Sequence, residues 1–182
     1  MPLQLSDIED LFLRHGHSQY SGEPVTQLQH ALQTALLAEQ AGADDELVTA
    51  ALLHDLGHLL GMHAQTPTLR GIDDLHQFLV LSFLRGMFGH RVLNAVQWHV
   101  DAKRYLCATR PGYLAALSPD SQRSLALQGG VFSTSEASRF MDRPQVEEAI
   151  ALRLWDDQAK QPDLHTPALA HYLARAQRCL RV

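Results

Sequence analysis

Nine residues, Ala50-Ala51-Leu52-Leu53-His54-Asp55-Leu56-Gly57-His58, constrain this chain more than any other stretch. The apolar run reads as a buried helix that ends in an imidazole beside a carboxylate. A polar group buried without a partner costs roughly 2–7 kcal/mol, and a metal ion satisfies both groups at once. Neighbouring side chains on a helix diverge by about 100°. His54 and Asp55 can therefore serve one metal while the second oxygen of Asp55 reaches another. His58 stands one turn beyond His54, on the same face. The pair carries weight only if the rest of the chain supplies the missing ligands.

The surrounding pattern is helical throughout. Ser6-Asp7-Ile8-Glu9 has the form of a capping box and predicts the start of a first helix. A polar loop with Gly16 and Gly22 follows. A second helix is expected from about Thr26 to Ala41, with His30 in its second turn and Gly42 just past its end. Asp44 or Asp45 caps the helix that carries His54-Asp55, and Asp73 or Asp74 caps one carrying His76. A further helix runs through Val92 and Val96 to Trp98 and His99. Ser118-Pro119 opens another, a shorter segment covers Glu136 to Met141, Pro144 opens a long helix through Asp156 to Lys160, and Thr166-Pro167 starts the last. No alternating strand run and no internal repeat is visible. The expected fold is all-α, one domain of 182 residues with roughly eight helices. Within it, the metal-site core spans about 26–160, a loop 16–25, and a C-terminal helix about 167–180.

Charge and composition narrow the partners. A formal net charge of -5 argues against a nucleic-acid surface. No apolar run approaches a membrane span, and no basic region followed by an apolar run opens the chain. Cys107 and Cys179 are the two cysteines, without a CxxC pair, so free thiols in a reducing cytoplasm are expected. Eleven histidines are many for this length, and histidine is the commonest metal ligand. His15, His17, His63, His90, His165 and His171 read as solvated. Trp98 and Trp155 read as core residues, and Asp157 as an exposed helix residue.

His30, His54, His76 and His99 each lie on a helix with an apolar flank, and Asp55 and Asp156 join them. Taken singly, His30, His76 or His99 is ordinarily a hydrogen-bonded structural histidine. Taken as an ordered set on separate helices they read as ligands, because a buried ionisable cluster needs compensation. With one carboxylate bridging, the six hold two metals roughly 3.5–4 Å apart. A donor set of nitrogen and oxygen suits Fe, Mn, Ni or Zn and does not choose among them.

The ordered H…HD…H…H…D series resembles the HD-domain superfamily of metal-dependent hydrolases. Three segments are similar to one branch of it: Gln19-Tyr20-Ser21-Gly22-Glu23, His99-Val100-Asp101-Ala102-Lys103-Arg104-Tyr105-Leu106, and Leu154-Trp155-Asp156-Asp157-Gln158-Ala159-Lys160. That branch comprises the mixed-valence diiron oxygenases that cleave the carbon–phosphorus bond of small hydroxyphosphonates, with myo-inositol oxygenase more distant. The likeness runs from about Leu11 to Lys160.

The resemblance implies one iron held by His30, His54, Asp55 and Asp156, and a second by His76, His99 and the shared Asp55. It implies O2 as co-substrate. The carbon bearing hydroxyl and phosphonate is oxidised, and inorganic phosphate and a carboxylic acid are released; 2-amino-1-hydroxyethylphosphonate would give glycine. An anionic head group needs cationic and hydroxyl donors. Lys103, one turn past His99 if that helix continues, Arg153, one turn before Asp156, and Ser121 in the first turn after Ser118-Pro119 are the candidates. His58 is expected beside the ligands or facing the substrate. By the same resemblance Tyr20 occupies an iron position until substrate displaces it, and Glu23 meets the substrate's ammonium group. Two alternatives stand beside this: an HD phosphohydrolase acting on a nucleotide or other phosphate ester, and a non-catalytic HD module that leaves the full ligand set unexplained.

Overall fold

The computed structural model describes residues 4–20, 22–61 and 67–181. Among them the chain is helical, with no strand. Eight helices have eight residues or more: α1 (Leu5–His15), α2 (Gln27–Gln40), α3 (Asp45–Leu53), α7 (His90–Thr109), α9 (Pro119–Leu127), α10 (Thr134–Met141), α11 (Val146–Gln158) and α12 (Leu169–Arg178). Between them lie short turns of helix: α4 (Leu56–Leu60), α5 (His76–Leu79), α6 (Leu81–Leu84) and α8 (Tyr113–Ala116). No described helix is long and apolar enough to cross a membrane.

The caps explain where most helices begin. Thr26 accepts from the Gln29 amide, and the Gln29 side chain returns to the Thr26 amide at 2.8 Å. Asp44 caps α3, and Ser118 caps α9 with Pro119 at its first position. Gly42, at φ +78°, ends α2 in the left-handed conformation that favours glycine.

Several expected boundaries move. The first capping box is Gln4 with Asp7, two residues before Ser6, because the Gln4 amide donates to Asp7 at 2.7 Å. The last helix starts at Leu169, after Thr166-Pro167, and α11 starts at Val146, because Gln145 is left-handed at φ +56°. It also stops at Gln158, short of Lys160. The helix of His99 continues to Thr109, which carries Lys103 one full turn onward. His54 and Asp55 do not lie within one continuous helix. α3 ends at Leu53, Asp55 breaks the run at φ -102°, ψ 8°, and α4 restarts at Leu56.

α7, with 20 residues, is about 30 Å long and forms the spine, packed against α3 and α11. The main core joins Ile8 and Phe12 of α1, Ala31 and Ala35 of α2, Val48 to Leu53 of α3, Val92 and Val96 of α7, Leu152 of α11 and Tyr172 of α12. Each large apolar side chain buried there contributes about 1.5–3 kcal/mol. Trp155 packs on this core and Trp98 on a smaller cluster around Phe132 and Phe140, as expected of them. His15, His17, His90, His165 and His171 are exposed, while His63 lies outside the described residues. Cys107 and Cys179 are free thiols.

Candidate metal centre

α2, α3, α7 and α11 meet around a buried polar cluster at the open end of the core. His30, His54, Asp55, His76, His99 and Asp156 are all buried there. His30 Nε2 lies 3.2 Å from His54 Nε2, and His76 Nε2 lies 3.2 Å from His99 Nε2. Asp55 stands between the two pairs. Its Oδ2 is 3.5 Å from His30 Nε2 and 3.4 Å from His54 Nε2. Its Oδ1 is 3.2 Å from His76 Nε2 and 3.6 Å from His99 Nε2. Asp156 joins the first pair, with Oδ1 3.4 Å from His30 Nε2. Two groups result whose donor atoms lie within 4.8 Å of one another: His30, His54, Asp55 and Asp156, and then Asp55, His76 and His99.

The far side of each ring shows why these geometries fit a cation. His30 Nδ1 donates to the Ala159 carbonyl at 2.9 Å, His54 Nδ1 to the Ala51 carbonyl at 2.8 Å, and His99 Nδ1 to the Val96 carbonyl at 2.7 Å. A carbonyl only accepts, so each Nδ1 carries the proton. Nε2 is then the inward-facing atom left to take a metal or a second proton. Lone pairs facing each other at 3.2 Å repel unless a cation sits between them. Asp156 Oδ1 is buried with no hydrogen-bond partner, which a metal bond would supply.

The electrostatics agree. Burial pushes His30 down, but Asp156 and Asp55 overcome it and carry it up to about 9. Burial likewise opposes and Asp55 and Asp74 favour the charged form of His76, also raised to about 9. His99 goes the other way, to about 4, because burial dominates there. Asp55 and Asp156 both stay well below the usual carboxylate range, although burial opposes this: His54 and His58 hold Asp55 ionised, and Arg153 and His30 hold Asp156. The carboxylates that would draw a second proton to Nε2 draw a metal to the same lone pair.

A pocket of about 50 Å³ opens onto the cluster. At roughly 10–15 Å³ per water it holds about four waters, room enough for a small anion. Tyr20, His58, Lys103, Ser121 and Arg153 line it. Lys103 is buried on α7 and donates to Ser124 at 2.7 Å. Burial and the neighbouring Arg153 push Lys103 down to about 7. Arg153 is buried too, with Nη1 2.9 Å from Asp156, Nε 3.3 Å from the Tyr113 hydroxyl, and Nη2 on Asp157. Asp157 is thus a half-buried partner of Arg153 and Tyr113, not an exposed helix residue.

The Tyr20 hydroxyl donates to Asp55 Oδ2 at 2.9 Å, and its ring stacks on His30 with centroids 3.9 Å apart. Burial, then Asp55 and Asp156, raise its pKa well above 10 and keep the phenol protonated. Glu23 is elsewhere. Its carboxylate meets Lys160 at 3.0 Å and is absent from the pocket wall. His58 stands 3.7 Å from Asp55 and stacks on His76 at 4.0 Å.

Sequence reasoning missed Asp74. Read as a cap, it binds His58 Nδ1 at 2.6 Å and His76 Nδ1 at 2.9 Å, and so holds both rings. It sits beside Leu75, one of two non-glycine residues with positive φ among the described residues, at +51°. Strain of this kind costs about 1–3 kcal/mol and persists where the surroundings enforce it. Gly57 makes the approach feasible: a Cβ there would stand 2.2 Å from the His76 carbonyl oxygen. A lone Asp two residues before a candidate ligand was the one available signal.

This chain belongs to the HD-domain family, whose model matches residues 28–159. Two relatives narrow the class. One is (1-hydroxy-2-(trimethylamino)ethyl)phosphonate dioxygenase, glycine-betaine-forming, of Leisingera caerulea, 40% identical over 174 residues, covering 94% of this chain and 87% of that protein. The other is hydroxymethylphosphonate dioxygenase of Gimesia maris, 40% identical over 178 residues, covering 97% of this chain and 88% of that protein. An uncharacterized protein of Acanthamoeba polyphaga mimivirus is 34% identical over 159 residues, covering 86% of this chain and 72% of that protein.

Proposed function

We propose that this protein is a diiron oxygenase that cleaves the carbon–phosphorus bond of a small 1-hydroxyphosphonate with O2. The observation that carries the reading is the meeting, in one small pocket, of two ligand groups sharing Asp55 with the anion donors Lys103, Arg153 and Ser121. The dioxygenase activity of the two phosphonate relatives supports it. His30, His54, Asp55 and Asp156 would hold one iron, and Asp55, His76 and His99 the other. The pair would supply the Lewis acidity that grips the substrate's oxygens and the electrons that activate O2.

The chain's own residues do the rest. Lys103 and Arg153 neutralise the phosphonate, Arg153 with its plane already set by Asp156, Asp157 and Tyr113. Ser121, in the first turn of α9, adds a hydroxyl donor near a positive helix end. His58, fixed by Asp74, faces the substrate's hydroxyl side. Tyr20 covers Asp55 until substrate enters and keeps water and stray anions off the centre. In balance, the hydroxyphosphonate and one O2 give a carboxylate, hydrogen phosphate and one proton: the C–P bond breaks and the carbon gains oxygen. The same reading has the enzyme act on a free small molecule in the cytoplasm, without nucleic acid or membrane. 2-Amino-1-hydroxyethylphosphonate and hydroxymethylphosphonate are both substrates to test.

The test is phosphate release from each compound in air and without oxygen, with O2 uptake measured in parallel. One O2 consumed per phosphate, and no release without oxygen, is the expected result. Oxygen-independent release from a phosphate ester, with no action on phosphonates, would replace the reading with the hydrolase.

A further inference from the structure

Tyr20 and Glu23 are tied to one another through the backbone. The Glu23 amide donates to the Tyr20 carbonyl at 2.7 Å, and the Tyr20 amide donates to the Val25 carbonyl at 3.0 Å. This piece is held to the body by side-chain contacts at both ends, beside the stacking of the Tyr20 ring on His30. At one end the Tyr20 hydroxyl meets Asp55 at 2.9 Å. At the other the Glu23 carboxylate meets Lys160 at 3.0 Å, with both side chains largely shielded, 13% and 14% exposed.

The Lys160 end is anchored firmly. Its preceding residue, Ala159, is fully buried and gives its carbonyl to His30. Its following residue, Gln161, accepts from Gln33 at 2.6 Å and donates back to it at 3.0 Å. Lys160 Nζ also lies 3.4 Å from the Ser118 hydroxyl at the start of α9, the helix whose Ser121 lines the pocket. The ammonium group therefore ties the loop to the wall of the site and to the backbone that orients His30.

We propose that Lys160 is a positioning residue: its ion pair restrains Glu23 and, through the backbone bond from Glu23 to Tyr20, sets how readily Tyr20 leaves Asp55. A partly shielded ion pair with one rigid partner outlasts a surface pair, where both chains pay side-chain entropy and solvent screens the charges. Loss of the pair leaves the turn attached to the body through Tyr20 alone. A ligand that must displace Tyr20 then works against the contacts of Tyr20 without the added restraint of the ion pair, so it binds more tightly. A residue that merely supported the fold, or that itself gripped substrate, would give weaker binding when removed. This inference rests on Tyr20 being the cover of the site, as proposed above.

The experiment uses the metal-loaded full-length protein and the variants Lys160→Met, Lys160→Arg and Glu23→Gln. Backbone hydrogen exchange is followed at Tyr20 and Glu23, with the amides of α7 as an internal control for global stability. Binding is measured with methylphosphonate, which lacks the hydroxyl and is not turned over. Lys160→Met and Glu23→Gln are expected to exchange about 10-fold faster at Tyr20 and Glu23 with α7 unchanged, and to bind methylphosphonate about 5-fold more tightly. Lys160→Arg, which keeps the charge, is expected to stay near wild type in both. Unchanged exchange at the turn in Lys160→Met, or methylphosphonate binding equal to or weaker than wild type, overturns the proposal. Failure of the oxygenase reading shows separately, as no phosphate release from any hydroxyphosphonate by the wild type while the exchange and binding results stand.

Discussion

The two sides of the metal cluster are built differently. On the closed side, His30, His54 and His99 are locked by backbone carbonyls of Ala159, Ala51 and Val96, within or at the ends of packed helices. On the open side, His76 and His58 are locked by one side chain, Asp74, and Tyr20 is held by the Glu23–Lys160 pair. The open side also carries the left-handed Leu75 and the four-residue helix that starts at His76. A carbonyl inside a helix cannot swing away, whereas a carboxylate or an ion pair can. The histidines of the first group are therefore fixed by the fold, whereas the second group joins one ring fixed in the same way, His99, to one held by a side-chain contact that can be loosened, His76.

Four substitutions probe this contrast. The largest effect belongs to Asp156→Ala on the closed side. It removes a ligand and leaves Arg153, buried against Asp156 at 2.9 Å, with Asp157 as its remaining charge partner. Removing one partner of a buried pair costs about 3–5 kcal/mol. We expect a clear fall in thermal unfolding temperature and metal content near half of wild type. An unfolding temperature equal to wild type would mean that the closed side is not the structural anchor.

Next comes Gly57→Ala, where the two sides touch. The added methyl would meet backbone atoms of His76 at 2.2 to 2.8 Å, so α5 must shift. A misplacement of about 1 Å in a catalytic group can cost on the order of 100-fold in rate. Turnover should fall by about that factor, with metal lost from the second group first. Equal loss from both groups, read by metal titration, would erase the distinction between the sides.

Asp74→Asn follows. The amide keeps the shape but loses the charge that orients His58 and His76. Outer partners of metal-bound histidines typically matter 10–100-fold in affinity or activity, so a loss near 10-fold is expected. Unaltered activity would show that α5 alone positions His76.

The smallest effect concerns Lys103. With burial and Arg153 pushing it down to about 7, the free enzyme carries the ammonium below that pH and a neutral amine above it. The kcat/KM for an anionic phosphonate should therefore decline as pH rises through about 7. In kcat the decline should move higher, because the bound anion favours the charged form. Lys103→Arg stays charged and should lack this decline. A profile of the same shape in the variant would assign the titration to another group.

Much of the buried cluster was legible in the chain because its histidines and aspartates come as ordered types, most of them on recognisable helices. His30, His54, Asp55, His76, His99 and Asp156 converge, and Lys103, Arg153 and Ser121 line the same pocket. Local caps such as Asp44 and Ser118 were also readable, since their partners lie three residues away. Asp74 was readable only as a cap. Its second role depends on His58, sixteen residues earlier and across a turn. Glu23 was read toward a substrate cation, and its contact with Lys160 spans 137 positions of sequence.

By itself, the sequence determined the helical periodicity, the nitrogen and oxygen donor set, and the order in which the ligands occur, because each depends on residue type and short spacing. The tertiary structure alone decided which ring nitrogen faces inward, which oxygen of Asp55 serves which pair, and where Glu23 finds its charge partner. Those outcomes depend on contacts such as His30 with Ala159, 129 residues apart. Such contacts exist only after α2 and α11 have packed, and no local preference encodes the angle at which they meet.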